Sequence, residues 1–277
     1  MILADALAGY EKELEAVGEE PEALSFVYRG LKQWDLTQFV LHLRQEVTEE
    51  DEKLLSSIFD QLKAHKPAQY ILGYEEFHGL RFQVDERVLI PRPETEELVD
   101  LILAENPKTE LKVLDIGTGS GAISVSLKAS RPHWLVTASD LSAAAIELAR
   151  ENAKLNQVDI SFIQSDVFEA ISDSFDIIVS NPPYISENDK DEVGLNVLAS
   201  EPKMALFADE DGLAIYRQII EGVAKHLTPQ GKLYFEIGYK QGQDLKKLLS
   251  LHFPDKRVRV LKDQFGQDRM VVMDDEK

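Results

Sequence analysis

Three features of the 277-residue sequence predict an α/β fold: a mostly parallel, doubly wound sheet, a terminal antiparallel hairpin and a small N-terminal helical domain. Beyond Lys112, short apolar strand candidates alternate with helical periodicity, which implies a parallel sheet with helices on both faces. Near the C-terminal end, two strand candidates follow one another across a polar turn containing glycine, with no helix between them, so they form a hairpin. Residues 1 to about 70 carry only helical spacing.

In the N-terminal segment, Ala4, Leu7, Ala8 and Leu14 recur at helical intervals, as do Leu36, Phe39, Val40 and Leu43. Thr48, followed by Glu49, Glu50, Asp51 and Glu52, is a candidate N-cap with acids in the first turn. Lys66-Pro67 then breaks the pattern, because proline lacks an N–H. Residues 1–75 are expected to form a helical docking domain. Strands over 80–84 and 87–90 are expected to make a hairpin linker within 76–92. The remainder, 93–277, begins with a helix whose N1 position is near Pro93 and whose early acids suit its positive end. Strands are expected at 112–116, 135–139, 160–163, 175–180 and 232–237, with helices at 143–155 and 212–226 and the hairpin at 257–261 and 269–273.

Composition excludes several function classes. There is no cysteine, hence no disulfide, catalytic thiolate or zinc–thiolate site. The six histidines are scattered without ligand spacing, so no metal is expected. A net charge of −20 opposes phosphate backbones, and Lys246-Lys247 and Lys256-Arg257 are too short to make a basic patch, so direct nucleic-acid binding is not expected. No apolar run approaches the roughly 18 residues of a membrane span, and the N-terminus lacks a basic, then apolar, leader pattern. A cytoplasmic protein with a protein partner is the expectation.

Val113-Leu-Asp-Ile-Gly-Thr-Gly-Ser-Gly-Ala122 follows a strand and opens a helix, the context a ligand-cradling loop requires. Gly117, Gly119 and Gly121 allow sharp turns and close backbone approach, with Thr118 and Ser120 between them. Gly117, Gly119 and Ala122 also satisfy the nicotinamide-dinucleotide pattern. Asp115, two residues before the first glycine, suits a cationic ligand better than a pyrophosphate, and S-adenosyl-L-methionine carries both a sulfonium and an amino group. Asp140 ends the second strand and is placed to accept from ribose hydroxyls, which fits either cofactor. After the third strand, Asp166 is a candidate acceptor for an adenine amino group and Val167 for packing on the ring.

Asn181-Pro-Pro-Tyr184 follows the fourth strand at the edge where open α/β sheets bind ligands. A residue before proline is driven to extended geometry, so Asn181 and Pro182 are both extended. Pro182 and Pro183 supply no N–H, which leaves the Asn181 side-chain oxygen and the Pro182 carbonyl as a stiff row of acceptors. Two such acceptors match a planar NH2 group. Holding both N–H bonds aims a poorly nucleophilic nitrogen and stabilises its developing positive charge. Tyr184 is a candidate to stack on the planar group.

With these motifs, the sequence resembles the release factor glutamine N5-methyltransferases of the HemK/PrmC family over nearly its whole length. The likeness includes Tyr70-Ile-Leu-Gly-Tyr74, Ile90-Pro-Arg-Pro-Glu-Thr-Glu96, the glycine loop, Ser165-Asp166, Ser180-Asn-Pro-Pro-Tyr-Ile185, Glu201-Pro202 and Gly212-Leu213. The resemblance implies a class I methyltransferase Rossmann-like sheet that uses S-adenosyl-L-methionine. It also implies methyl transfer to the glutamine of the Gly-Gly-Gln motif in peptide-chain release factors, docked partly by the N-terminal domain. Gly117 to Gly121 and Asp140 would hold the cofactor, with Asn181 near it too, and Asn181 to Tyr184 would hold the glutamine; the sequence departs from the family at Val167, where relatives can carry an aromatic beside the adenine. Asn-Pro-Pro-Tyr is shared with adenine-N6 methyltransferases of nucleic acid and with ribosomal-protein glutamine methyltransferases, which remain the alternative readings.

Overall fold

The computed structural model describes residues 1–106 and 109–275. The chain divides into two compact units: Met1–Tyr74 with Val193–Glu201, and Glu75–Glu192 with Pro202–Lys277.

The first unit is helical, with helices Leu3–Ala16, Glu22–Leu31, Leu36–His42, Glu49–Lys63 and Ala68–Leu72, joined by the later helix Leu195–Ser200. Leu7, Leu14, Leu24, Val27, Leu55, Ile58 and Leu62 form its core. The expected cap at Thr48 is a full capping box: its hydroxyl accepts from the Asp51 N–H at 3.1 Å, and Asp51 accepts from the Thr48 N–H at 3.3 Å. Periodicity gives the helix Leu36–His42 but misjudges its burial, since Leu36 and Val40 are 64% and 55% exposed and only Phe39 and Leu43 pack on the core. Ser200, far along the chain, donates to the His65 carbonyl at 3.1 Å. No local sequence pattern marks that long-range return.

In the second unit, strands β1 (Tyr74–Phe77) and β2 (Leu80–Gln83) form the hairpin. This corrects the expected pairing, in which 87–90 was the second strand. The turn is His78-Gly79, with φ of 51° and 71°, a left-handed pair suited to the twist of a two-residue hairpin. Residues 87–90 carry no strand. Val88 donates back to the Asp85 carbonyl in a turn, Arg87 grips the Asp85 carboxylate, and Pro91 has no N–H for a ladder. Val88 and Ile90 are buried but belong to no strand, so their alternation reflects burial.

The main sheet has seven strands: β3 (Lys112–Ile116), β4 (Leu135–Asp140), β5 (Ser161–Gln164), β6 (Phe175–Ser180), β7 (Leu227–Glu236), β8 (Arg257–Lys262) and β9 (Asp268–Asp274). Their spatial order is β5-β4-β3-β6-β7-β9-β8. The first five run parallel, and β9 runs antiparallel between β7 and β8. Side chains alternate between two cores. Val113, Ile177, Val179, Tyr234 and Val272 pack on one face with Leu98 and Ile102 of the helix Pro93–Glu105 and Val125 of the helix Ala122–Ser130. Leu114, Ile178, Leu233, Phe235 and Val271 pack on the other with Ile219 and Val223 of the helix Ala214–Val223 and Leu245 and Leu249 of the helix Gly242–His252. Among the described residues, no helix is long and apolar enough to cross a membrane.

Asp51 does more than cap. It also accepts from the Tyr28 hydroxyl at 2.7 Å and from Lys32 at 2.8 Å. Burial alone would raise its pKa, but hydrogen bonds from Lys32, Thr48 and Tyr28 outweigh that and hold it well below the usual carboxylate range. A depressed folded pKa stabilises the fold above the ordinary carboxylate value and loses that effect as pH falls below it. Asp51→Asn should therefore lower stability at pH 7, and the gap to the parent should narrow below about pH 4. Urea denaturation across pH checks this; a gap independent of pH contradicts it.

Candidate active site

Strand register brings four chain segments to one level. Ile116 pairs with Ser139 and with Ser180, and Ser180 pairs with Phe235. The next residues, Gly117, Asp140, Asn181 and Glu236, therefore leave four adjacent strands side by side at the carboxyl edge. Ser180 reinforces the register by donating to the Ile116 carbonyl at 2.7 Å. A cleft opens there, with about 1100 Å³ of empty space when the open solvent at its mouth is counted.

The glycine loop forms one wall. Gly117 and Gly119 have φ of 71° and 55°, and a Cβ built on either meets nothing within 4 Å, so the space above them is open. Gly117, Thr118, Gly119 and Ser120 line the cleft. Gly121 does not. Its φ is 83°, and a Cβ there would press to 3.3 Å against Ala149 and Val125, so its bareness lets two helices approach. Asn152, which the sequence did not single out, braces the loop by donating to the Ser120 carbonyl at 2.9 Å.

Asp115 departs from expectation. Its carboxylate is not part of the cleft lining; it is fully buried and accepts from the Thr118 hydroxyl at 2.6 Å. Burial raises its pKa to about 6, with Thr118 and Ser124 opposing. Asp115 thus supports the loop from below. Asp140 lines the cleft, with Oδ2 accepting from the Gly119 N–H and Oδ1 from the Ser142 N–H, each at 2.9 Å. Burial raises its pKa too. Asp166 and Val167 also line the cleft. Val167 holds φ of 45°, a costly conformation for a β-branched residue, of the kind that clusters at functional sites.

Asn181, Pro182 and Pro183 line the cleft beside Thr95, Arg92 and Pro91. Tyr184 does not, so the stacking expected of it is unsupported by its position. Its ring packs toward the core, and burial raises its phenol to about 12. Its backbone is held instead: Gln241 donates to the Tyr184 carbonyl at 3.0 Å and the Gly212 carbonyl at 3.2 Å, and accepts from the Gly238 N–H at 3.1 Å. Gly212, with φ of 80°, lies so close that a Cβ would sit 2.1 Å from the Tyr184 carbonyl oxygen. Behind Asn181 is Glu236, 2% exposed, which accepts from the Thr95 hydroxyl at 2.6 Å. Burial raises its pKa to about 7, with Thr95, Arg269 and Asn181 opposing. Glu236 and Gln241 carried no sequence signal, since each lies in an ordinary-looking strand end or turn.

The methyltransferase small domain model matches residues 95–209, and the PrmC N-terminal domain model matches residues 5–73. A release factor glutamine methyltransferase of Streptococcus pneumoniae is 61% identical over 276 residues, covering 99% of each chain. One from Lactococcus lactis is 51% identical, covering 94% of this chain and 96% of the relative. A methyltransferase structure from Pyrococcus furiosus matches with a TM-score of 0.53 at 19% identity, covering 72% of this chain and 90% of that one, which supports the fold.

The crowding at Gly212 yields a prediction. Gly212→Ala must displace the Tyr184 carbonyl and adopt a left-handed φ, at a cost on the order of 1–3 kcal/mol. It should lower the thermal midpoint and, by moving the Asn-Pro-Pro-Tyr turn, abolish most activity. A variant with parental midpoint and turnover rules out this constraint.

Proposed function

The chain belongs to the release factor glutamine methyltransferase family, and on that premise we propose that it transfers a methyl group from S-adenosyl-L-methionine to the side-chain amide nitrogen of the glutamine in the Gly-Gly-Gln motif of peptide-chain release factors. The observation that carries this reading is the placement of Asn181 and Pro182, acceptors stiffened by proline, in the same cleft as the glycine loop and Asp140. Release factors, as soluble partners in translation, fit a cytoplasmic location.

The cleft suits the cofactor by the chemistry of its lining. The bare backbone of Gly117 and Gly119 leaves room for close approach, and the Asp140 carboxylate can accept from a ribose diol. Asp166 offers an acceptor for an adenine amino group, and Val167, Leu141 and Ala145 offer apolar contact. When bound, S-adenosyl-L-methionine supplies an electrophilic methyl group on a sulfonium sulfur.

The chain's own residues supply orientation and charge stabilisation. The Asn181 side-chain oxygen and the Pro182 carbonyl accept the two N–H bonds of the glutamine carboxamide. That fixes its plane and turns the nitrogen toward the methyl donor. As the nitrogen gains positive charge its N–H bonds polarise, and the same two acceptors bind them more strongly than in the ground state. The extra proton leaves once the nitrogen is cationic and acidic, so no buried base is needed. Adenine-N6 transfer would use the same acceptors, but a charge of −20 opposes nucleic acid.

The test is to incubate the enzyme with a release factor and isotopically labelled cofactor and to map the label by mass spectrometry. Label on the Gly-Gly-Gln amide is expected; label elsewhere, or only on a nucleic-acid duplex, overturns the reading. Two variants divide the roles. Asp140→Ala should weaken cofactor binding by about 10- to 100-fold by calorimetry, having lost a hydrogen-bonded carboxylate. Asn181→Ala should bind cofactor within a few-fold of the parent yet lose about 100-fold or more in transfer.

A further inference from the structure

On the glutamine-amide reading above, Asn181 is useful only if its oxygen, and not its NH2, faces the cleft; an asparagine side chain is nearly symmetric in shape, so something must decide. We infer that Thr95 and Glu236 form a buried relay that fixes the orientation of the Asn181 carboxamide, making both of them positioning residues for methyl transfer.

The inference follows from counting hydrogens. A threonine hydroxyl has one to give. Thr95 gives it to Glu236 Oε2 at 2.6 Å, a length typical of a charge-assisted bond. Toward Asn181 the Thr95 oxygen can then only accept, and it meets Asn181 Nδ2 at 3.4 Å. With its NH2 drawn inward, Asn181 presents Oδ1 outward. Reversing the carboxamide would set Oδ1 against a buried oxygen with no hydrogen left to offer. The relay keeps this direction as long as Oε2 carries no proton, because Glu236 then accepts from Thr95 whether it is ionised or protonated on its other oxygen.

Each member is fixed independently. Thr95 and Glu236 are 4% and 2% exposed. Thr95 lies in the first turn of the helix Pro93–Glu105, where Pro93 sets the start and the Thr95 N–H donates to the Arg92 carbonyl at 3.0 Å. The Glu236 backbone is held by its β9 partner, Met270, and its carbonyl accepts from the Tyr216 hydroxyl at 2.7 Å. Asn181 follows β6, which pairs with β7. The relay also explains why the Pro-Arg-Pro-Glu-Thr segment lies where it does, since it delivers a hydroxyl to the back of the acceptor asparagine.

The test compares Thr95→Val, which keeps shape without the hydroxyl, Thr95→Ser, which restores the hydroxyl, and Glu236→Gln, whose NH2 can turn toward Thr95. Release factor and labelled cofactor are the substrates. Expected for Thr95→Val is a fall in kcat of at least tenfold, with KM for release factor and cofactor Kd within about threefold of the parent, and recovery of most of kcat in Thr95→Ser. Glu236→Gln should lower kcat at least threefold with the same KM. Should Thr95→Val fail to fold, Thr95→Ala is read by the same criteria. Parental kcat in the valine, alanine or glutamine variant overturns the relay, as does a loss confined to KM or cofactor affinity, or a serine variant as impaired as valine. A parent enzyme that places no label on glutamine is a separate failure: it defeats the functional reading, and the relay's purpose with it.

Discussion

Parallel pairing of β6 between β3 and β7 is the constraint from which the rest of the site follows. Side chains along a strand alternate with a period of two, so a slip of one residue would turn every core side chain to the wrong face and carry Asn181 away from the glycine loop. The slip is opposed twice over. Ile177 and Val179 pack in one core while Ile178 packs in the other, and Ser180 ties itself to the Ile116 carbonyl. A hydrophobic pattern whose first effect is stability thus also aligns the ends of four strands within bonding reach of one cleft.

That alignment lets buried polar groups work in concert. Asp115, Asp140 and Glu236 all have raised pKa values, chiefly from burial, and each is offset by hydrogen bonds: Thr118 for Asp115, backbone N–H groups for Asp140, Thr95 for Glu236. Buried carboxylates tolerate such positions only when well partnered. Here Thr118 and Gly119 belong to the glycine loop and Thr95 to the first turn of the helix Pro93–Glu105, so these bonds also stiffen the walls of the cleft, although Asp115 Oδ1 itself has no hydrogen-bond partner among the described residues. The Asn-Pro-Pro-Tyr turn is braced the same way from outside by Gln241 and the bare Cα of Gly212. Preorganisation of this kind is what an enzyme needs when it must orient a weak nucleophile.

Features with a short period or a rigid local chemistry were legible in the sequence. The strands at 112–116 and 175–180, the helix at 143–155, the cap at Thr48 and the terminal hairpin follow from local pattern, and the structure has them. The cleft gathers Gly117, Gly119, Asp140, Asp166, Val167, Asn181 and Pro182 because topology places strand ends together. Direction and depth were not legible. Asp115 and Tyr184 occur where motifs suggest ligand contact, yet one lies beneath the loop and the other turns to the core. Nor could spacing locate Glu236, Gln241 or Asn152, whose partners lie up to 141 residues away along the chain. The second linker strand failed because Val88 and Ile90 are buried outside any strand, and burial is what alternation reports.

The most direct measurement is a crystal structure of the enzyme with S-adenosylhomocysteine and a release-factor fragment carrying Gly-Gly-Gln. The glutamine nitrogen should lie about 2.7–3.2 Å from both Asn181 Oδ1 and the Pro182 carbonyl oxygen, on the side facing the cofactor sulfur. A carboxamide held by other groups, or an Asn181 with its NH2 turned toward the substrate, would contradict the account.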